Sequence, residues 1–394
     1  MYLLSSLVFL LWLGTFEVQA QEPAAFTSRA EYAFGQVMTF YLSAEVAEGV
    51  EHATLLFRAP EFDNTYVKER PITDTDYEAN GFQIFEDVSL SEVRLAPFTV
   101  VTYWWQLQLT NGQQITLPEQ TIQYVDDQFE WHNLAQEPVT VYWTGEDAVL
   151  GQIALDVVTE ATPRLADFLP TAVTAPLSIY IYPTSADLRA ALRLTGRDWV
   201  GAHTAPELGV ILVTAVNIRT AATDLSQSIP HEMTHFLLYQ SDPAHYDAVP
   251  AWLNEGLATL AEAAARPTYK SVLATAVSNQ TTLPFTDLCT AFPAREEQVL
   301  LAYAQSSAFV QYLQARYGTQ ALRELIAAYF DGADCESGIS RTLQTTLPQL
   351  NEDWLRSQQP QTPLAQFFLN NTLWLLLILG GFGITSLLVL TKGE

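Results

Sequence analysis

The sequence predicts an α+β chain: an N-terminal β-sandwich, then a mixed β-sheet that leads into a helical region, with one apolar helix near the C-terminus. Three observations carry this expectation. Residues 24–128 read as strands with apolar positions at a period of two, strands and helices interleave from about Phe129, and beyond Glu255 the apolar positions recur at helical spacing. The boundaries that follow are 1–20 for a signal peptide, 21–128 for the sandwich, 129–357 for the second domain, 358–368 for a linker and 369–391 for a transmembrane helix.

In the first domain the clearest element is Val101 to Leu117. Val101, Tyr103, Trp105, Leu107 and Leu109 alternate with Thr102, Trp104, Gln106, Gln108 and Thr110, and Asn111-Gly112 follows. An Asn-Gly pair supplies the positive φ values of a two-residue turn, so Gln113 to Leu117 is expected to return as the partner strand. With strands over 38–46, 53–59 and 82–90, these residues make a sandwich of immunoglobulin-like size, suited to binding or positioning and without a catalytic constellation.

The second domain opens with a strand over 138–145, a helix from Ala148 to Phe168, a buried strand over 176–183 stopped by proline, and a strand over 209–214. The next helix, which Asp224 can cap, is expected to meet an interruption at Pro230 by its second turn, because proline lacks the N–H that the helix ladder needs. Helices are then expected from Trp252 to Ala265, Tyr269 to Val277, Glu296 to Tyr317, Gln320 to Phe330 and Ser337 to Ser357. No internal repeat is evident, and the stretch QQPQTP at 358–363 reads as a short linker.

The chemistry concentrates in two segments. His231-Glu232-Met233-Thr234-His235 is an HExxH motif, and Trp252-Leu253-Asn254-Glu255-Gly256-Leu257-Ala258 follows twenty positions after its last histidine. Residues four apart share one face of a helix, so both imidazoles can point at one ion while Glu232 stands within reach of a water activated by it. Two neutral imidazoles and the Glu255 carboxylate form the ligand set of catalytic zinc, which keeps one tetrahedral position open. One Zn2+ per chain is therefore expected, held by His231, His235 and Glu255. Each imidazole also needs a partner behind it. Glu262, seven residues after Glu255 and two helical turns on, is one candidate for that support, and Asn254 is a further residue expected around the ligands.

These segments, IPHEMTHFLL at 229–238 and VPAWLNEGLA at 249–258, resemble the HExxH helix and the glutamate helix of gluzincin metallopeptidases, the group of thermolysin and aminopeptidase N, and in particular the peptidase MA-like family. The resemblance spans about residues 138–357 and implies a thermolysin-like catalytic domain with Glu232 as general base. It also places Tyr303 where an aminopeptidase N-like pattern puts the tyrosine that holds the oxyanion, and Glu262 where such relatives carry a carboxylate. The aspartate that thermolysin carries four residues after its glutamate ligand is replaced by Thr259. The Gly-Ala-Met-Glu-Asn segment with which aminopeptidase N anchors a substrate amine has no match upstream of His231, which sets the expectation toward an endopeptidase. A metzincin is excluded, because its extended motif requires Gly and His where Leu238 and Ser241 stand. His203 and His245 flank the motif, and a lone histidine is more often structural than substrate-binding.

Composition bounds the partners. Lys+Arg total 18 against 44 Asp+Glu, a net charge of -26, so nucleic acid, which needs clustered cations, is not an expected partner and a protein or peptide substrate is. Residues 3–16 form a short apolar run ahead of Val18-Gln19-Ala20, the pattern of a cleaved signal, although no Lys or Arg precedes it, so an uncleaved anchor stays open. Thr372 to Leu390 carries no charge over nineteen residues, about 28 Å as a helix, with Lys392 next. Together these place the chain at the cell membrane, single-pass, with its catalytic domain outside the cytosol. There, Cys289 and Cys335 can form one disulfide. The function expected is a membrane-anchored, extracytoplasmic zinc metallopeptidase. The alternative is a binding or adhesion ectodomain that keeps the scaffold without cleaving.

Overall fold

The computed structural model describes residues 26–45, 49–78, 81–169, 173–193, 201–264, 266–293 and 295–359, together with Thr372. The expected signal peptide, most of the linker and, apart from Thr372, the expected transmembrane helix lie outside the described residues. Among the described residues no helix is long and apolar enough to cross a membrane. The chain is mixed α+β, with β-sheets first and helices after. The described residues divide into two compact units, one of those up to Leu95 plus Thr99–Val125, the other of Ala96–Phe98 plus those from Asp126 to residue 359.

The first unit is built from β1 (Phe26–Ala33), β2 (Val37–Ala44), β3 (Val50–Arg58), β4 (Tyr66–Pro71), β5 (Tyr77–Glu78), β6 (Gly81–Ser89), β7 (Val100–Leu109), β8 (Gln114–Thr116) and β9 (Gln120–Gln123). One antiparallel sheet runs β1-β2-β6-β5 and the other β4-β3-β7-β8, with β9 also on β7. Period-two burial makes each sheet two-faced: Val101, Tyr103, Trp105 and Leu107 point inward along β7, as do Met38, Phe40 and Leu42 along β2. Phe40 joins the inner faces, with its ring 5.4 Å from Phe57 and 5.0 Å from Tyr103. The β7–β8 hairpin forms, but through a three-residue loop rather than the two-residue turn expected. The Leu109 N–H donates to the Gln113 carbonyl, and of the Asn-Gly pair only Gly112 takes a positive φ, +84°. Asn111 instead turns its side chain onto the Gln113 N–H, a role that needs no left-handed backbone.

The second unit starts with β10 (Trp131–Gln136), β11 (Val139–Thr144), α1 (Val149–Phe168), β12 (Leu177–Tyr182), α2 (Ser185–Arg193), β13 (His203–Ala205) and β14 (Val210–Thr214). Its sheet has the order β10-β11-β12-β14-β13. The inner strands β11, β12 and β14 are parallel, and the outer two pair antiparallel. The inner strands β12 and β14, buried along most of their length, read as near-continuous apolar runs, while β11 alternates buried Val139, Val141 and Trp143 with half-buried positions. The edge strands β10 and β13, short and polar, carried no such signal.

Nine helices are described in this unit and the rest follow β14: α3 (Ile218–Ser241), α4 (Ala251–Ala261), α5 (Pro267–Asn279), α6 (Glu296–Tyr317), α7 (Thr319–Phe330), α8 (Cys335–Leu343) and α9 (Leu347–Gln358). Two expectations are corrected here. The expected single helix over 337–357 is two, because Gln344 turns left-handed (φ 55°) and Thr346 caps a new helix through the Gln349 N–H. The motif helix α3 begins earlier than expected, capped by Asn217, whose side chain accepts from the Arg219 N–H, while Asp224 sits inside it and accepts from the Thr220 hydroxyl. It then runs unbroken through Pro230. The Ser226 carbonyl, four residues before the proline and deprived of its helical donor, accepts from the Ala263 N–H at 3.2 Å. That bond ties α3 to the end of α4.

The helices enclose an aromatic cluster in which Phe309 stacks on Phe285 at 4.0 Å with Trp252 and Trp354 packed edge-on. Cys289 and Cys335 are joined by a disulfide across 46 residues. In the chain-entropy account, closing such a loop stabilises the fold by about 4 kcal/mol.

Candidate metal centre and its cavity

Helix α3 carries His231 and His235 one turn apart, with ring centroids 5.1 Å from each other. Helix α4 brings Glu255 opposite them. Its Oε2 lies 3.3 Å from His231 Nε2 and 3.6 Å from His235 Nε2, and the ligating atoms of the three residues all fall within 4.8 Å of one another.

What stands behind the imidazoles decides which nitrogen carries the proton. The Nδ1–H of His231 donates to Glu262 Oε1 at 3.0 Å, and that of His235 donates to Asn254 Oδ1 at 2.8 Å. Both Nε2 lone pairs therefore face the Glu255 carboxylate. Its Oε2 is buried and, among the described residues, has no hydrogen-bond donor. Three electron-rich atoms converging this closely repel unless a positive charge lies between them. The electrostatics of the protein alone show the same demand. Burial works against a charged His231, yet the carboxylates of Glu255, Glu262 and Glu232 outweigh it and raise its pKa to about 10. Burial likewise disfavours the charged form of Glu255, but His235 and His231 hold its carboxyl below the usual range. Two imidazole nitrogens and one carboxylate oxygen, each oriented from behind, fit a divalent ion of the zinc type.

Glu262 reaches His231 by a different route from the one expected. Helix α4 ends at Ala261, and Glu262 is its extended cap (ψ 144°), so the residue does not share a helical face with Glu255. The bend turns its side chain back beneath His231, next to the Ala263 to Ser226 bond. Arg266 holds it there through Nε to Oε2 at 2.8 Å and Nη2 to Oε1 at 3.0 Å.

His231, His235, Asn254 and Glu255 line a cavity of about 280 Å³ together with Ala202, His203, Thr204, Glu232, Tyr246 and Tyr303. Glu232 is buried, and the Thr204 hydroxyl lies 2.5 Å from its Oε2. Tyr303, from α6, packs against Phe292 and sits with its ring 6.3 Å from that of His231. Burial, then the charges of Glu255 and Glu232, push its pKa well above the usual phenol value, so it keeps its proton and can donate into the cavity. His203 reaches the cavity, whereas His245 is exposed and paired with Asp242.

Two cavity residues, Tyr246 and Thr204, were not singled out in the sequence. Tyr246 accepts from Asn254 Nδ2 at 3.1 Å, which leaves its own O–H for the cavity. Burial also raises its pKa, so the proton stays on. A tyrosine on a 3-10 turn between the two motifs, only nine residues before Glu255, was the available signal. Thr204 lies on an edge strand too short to show a pattern.

Glu255 and Tyr303 face each other because α4 and α6 approach closely at Gly256. A Cβ there would stand 2.4 Å from Val310 Cγ2 and 2.7 Å from the Ser306 carbonyl oxygen. Gly256→Ala is therefore expected to force the helices apart, lowering stability by about 1–3 kcal/mol. Denaturant midpoints of the two proteins, with zinc retention after dialysis, check this; equal midpoints and equal retention contradict it.

A family model of the Peptidase MA superfamily matches residues 157–359, just over half of the chain, a span that contains both motifs. No curated protein matches in sequence. Among solved structures, the chain is similar to an aminopeptidase N family protein from Idiomarina loihiensis, with 8% identity and a TM-score of 0.41 over 86% of this chain and 77% of that one. It is also similar to a polysaccharide deacetylase from Bacillus cereus, with 8% identity and a TM-score of 0.21 over 43% of this chain and 54% of that one. A purple acid phosphatase from yellow lupin seeds shows 13% identity and a TM-score of 0.21 over 49% and 35%. These structural likenesses are too distant to bear on activity. The family match, by contrast, covers the metal centre and its surrounding helices, and by it this chain belongs to the Peptidase MA superfamily.

Proposed function

We propose that this protein is a zinc-dependent metallopeptidase of the gluzincin type that hydrolyses peptide bonds in protein or peptide substrates. The observation that carries the reading is the buried, donor-less Glu255 Oε2 facing two imidazole nitrogens beside Glu232 in one cavity. Membership of a superfamily of metallopeptidases supports it.

His231, His235 and Glu255 would hold the ion. When bound, zinc would polarise a scissile carbonyl and make a water nucleophilic near neutral pH. The chain's own residues do the rest. Glu232 takes the proton of the attacking water onto its carboxylate and passes it to the leaving amine. Tyr303 and Tyr246, both kept protonated by burial, supply O–H donors for the negative charge that develops on the carbonyl oxygen. Glu262, held by Arg266, and Asn254, held by Tyr246, keep the imidazoles aimed.

Cavity chemistry favours cleavage within a chain. Among the described residues the carboxylates lining the cavity are Glu232 and Glu255, one committed to the proton and the other to the metal, so none of the described lining is left over for a substrate ammonium. The edge strand segment 201–205 reads Gly-Ala-His-Thr-Ala and contributes none. Strand β13 ends the sheet and borders the cavity, a placement suited to an extended peptide that adds as a further strand.

For the remainder of the chain we propose the arrangement its sequence suggests. The catalytic unit works outside the cytosol, anchored by a single-pass helix over 369–391, and the immunoglobulin-like sandwich, two four-stranded faces with β9 added, serves binding or positioning. A disulfide between Cys289 and Cys335 suits that compartment.

Glu232→Gln is expected to retain one zinc per chain and to lower peptide hydrolysis by about 10²–10⁴-fold. Metal analysis alongside cleavage of a peptide library checks this. Wild-type protein that binds zinc and cleaves nothing points instead to a non-cleaving binding scaffold. Peptides with an acetylated N-terminus are expected to be cleaved with kcat/KM within about threefold of their free-amine counterparts, because the described cavity lining leaves no carboxylate over for the amine. A loss of a hundredfold or more on acetylation contradicts the endopeptidase assignment.

A further inference from the structure

Thr204 occupies the middle of the three-residue strand β13 and pairs with Ile211 of β14. Its side chain is buried, yet it is polar, and among the described residues its hydroxyl bonds to the general base. The hydroxyl lies 2.5 Å from Glu232 Oε2 and 3.0 Å from the Glu232 carbonyl oxygen. A hydroxyl has one proton to give. Of the two acceptors the carboxylate oxygen is the closer, and a separation this short is typical of an O–H donated to a carboxylate.

We propose that Thr204 is a positioning residue for Glu232, tying Oε2 to the edge strand so that Oε1 alone carries the reaction's proton. The inference rests on the metallopeptidase reading of the site. A carboxylate free to rotate about its last bond presents either oxygen in many orientations, and each turnover would require it to find one. With Oε2 engaged, the plane of the carboxylate is set before substrate arrives. Oε1 is left to the cavity that Glu232 lines. The tie also survives proton uptake: when Oε1 gains the proton of the attacking water, Oε2 becomes the carbonyl oxygen of the acid and still accepts from Thr204. No hydrogen bond is broken as the proton arrives or leaves for the amine, which is the meaning of preorganisation here.

Placement on β13 adds a second consequence. The strand that borders the cavity and suits an extended peptide is the strand that holds the base. The register of the peptide against β13 and the position of Oε1 are thus fixed by one element, through two residues of adjacent sequence, His203 facing the cavity and Thr204 holding Glu232.

The test compares full-length wild type with Thr204→Val, which keeps the branched shape and removes the hydroxyl, and Thr204→Ser, which keeps the hydroxyl. Two readouts are taken. In steady-state cleavage of a fluorogenic peptide, Thr204→Val is expected to retain zinc, melting temperature and KM while kcat falls about 10–100-fold, and Thr204→Ser to stay within about threefold of wild type. In infrared difference spectra of the metal-free chains, the carboxylate band that disappears in Glu232→Gln identifies Glu232. That band is expected to shift in Thr204→Val and to keep its wild-type position in Thr204→Ser. An unmoved band in Thr204→Val overturns the proposal, as does a kcat equal to that of wild type, or an equal loss in both variants. The infrared readout does not require turnover: a shifted band in a protein that cleaves nothing supports the tie while the peptidase reading fails.

Discussion

Three lone pairs pointed at one place are the constraint around which this molecule is arranged. Glu255 Oε2 lies 3.3 Å from His231 Nε2 and 3.6 Å from His235 Nε2, and among the described residues no donor is bonded to the carboxylate oxygen. Left to themselves these groups would rotate apart or bind a proton. They are prevented from rotating by partners behind them: Glu262 and Asn254 hold the imidazoles, and Arg266 and Tyr246 hold those partners in turn. The protein thus bears an unfavourable arrangement of its own atoms that a divalent cation converts into a favourable one, which is how a site stores affinity for an ion in advance.

The fold supplies the rigidity this requires. Helix α3 could have ended at Pro230, one residue before the first histidine. Instead the carbonyl freed by the proline is taken by Ala263, just past the bend that carries Glu262 beneath His231. One backbone hydrogen bond therefore resolves the proline and locates the residue that orients His231. The same economy holds at Gly256, where the absence of a side chain lets α4 and α6 close until Glu255 and Tyr303 share a cavity. The parallel core of the sheet holds α3 from the other side, with Met233 and Ile229 buried among strand and α1 residues.

How much of this was legible in the sequence depended on the range of the interaction. The HExxH spacing is a local property of one helix, and the second motif lies on another short helix, so His231, Glu232, His235 and Glu255 could be picked out by their pattern. The inner strands were equally plain, β12 and β14 because burial along most of their length makes an apolar run and β11 because its apolar positions alternate. Thr204 and Tyr246 were not, since an edge strand of three residues and a single 3-10 turn have too few positions to show a period. Glu262 was singled out for a helical periodicity that the structure does not have; it arrives through a bend at the end of α4, which depends on Ser226 over thirty residues earlier. The start of α3 at Asn217 and the break at Gln344 were hidden for a related reason. Capping competes among nearby polar residues, and only tertiary packing selects the winner.

X-ray absorption at the zinc edge of the zinc-loaded full-length protein tests the central claim most directly. The arrangement predicts two imidazole nitrogens at about 2.0–2.1 Å, with their outer-ring scattering, and a carboxylate oxygen at about 2.0–2.2 Å, leaving one position for a light atom from solvent. Loss of one imidazole in His235→Ala would follow. A sulfur shell at about 2.3 Å, or a zinc environment in which His235→Ala changes nothing, would contradict it.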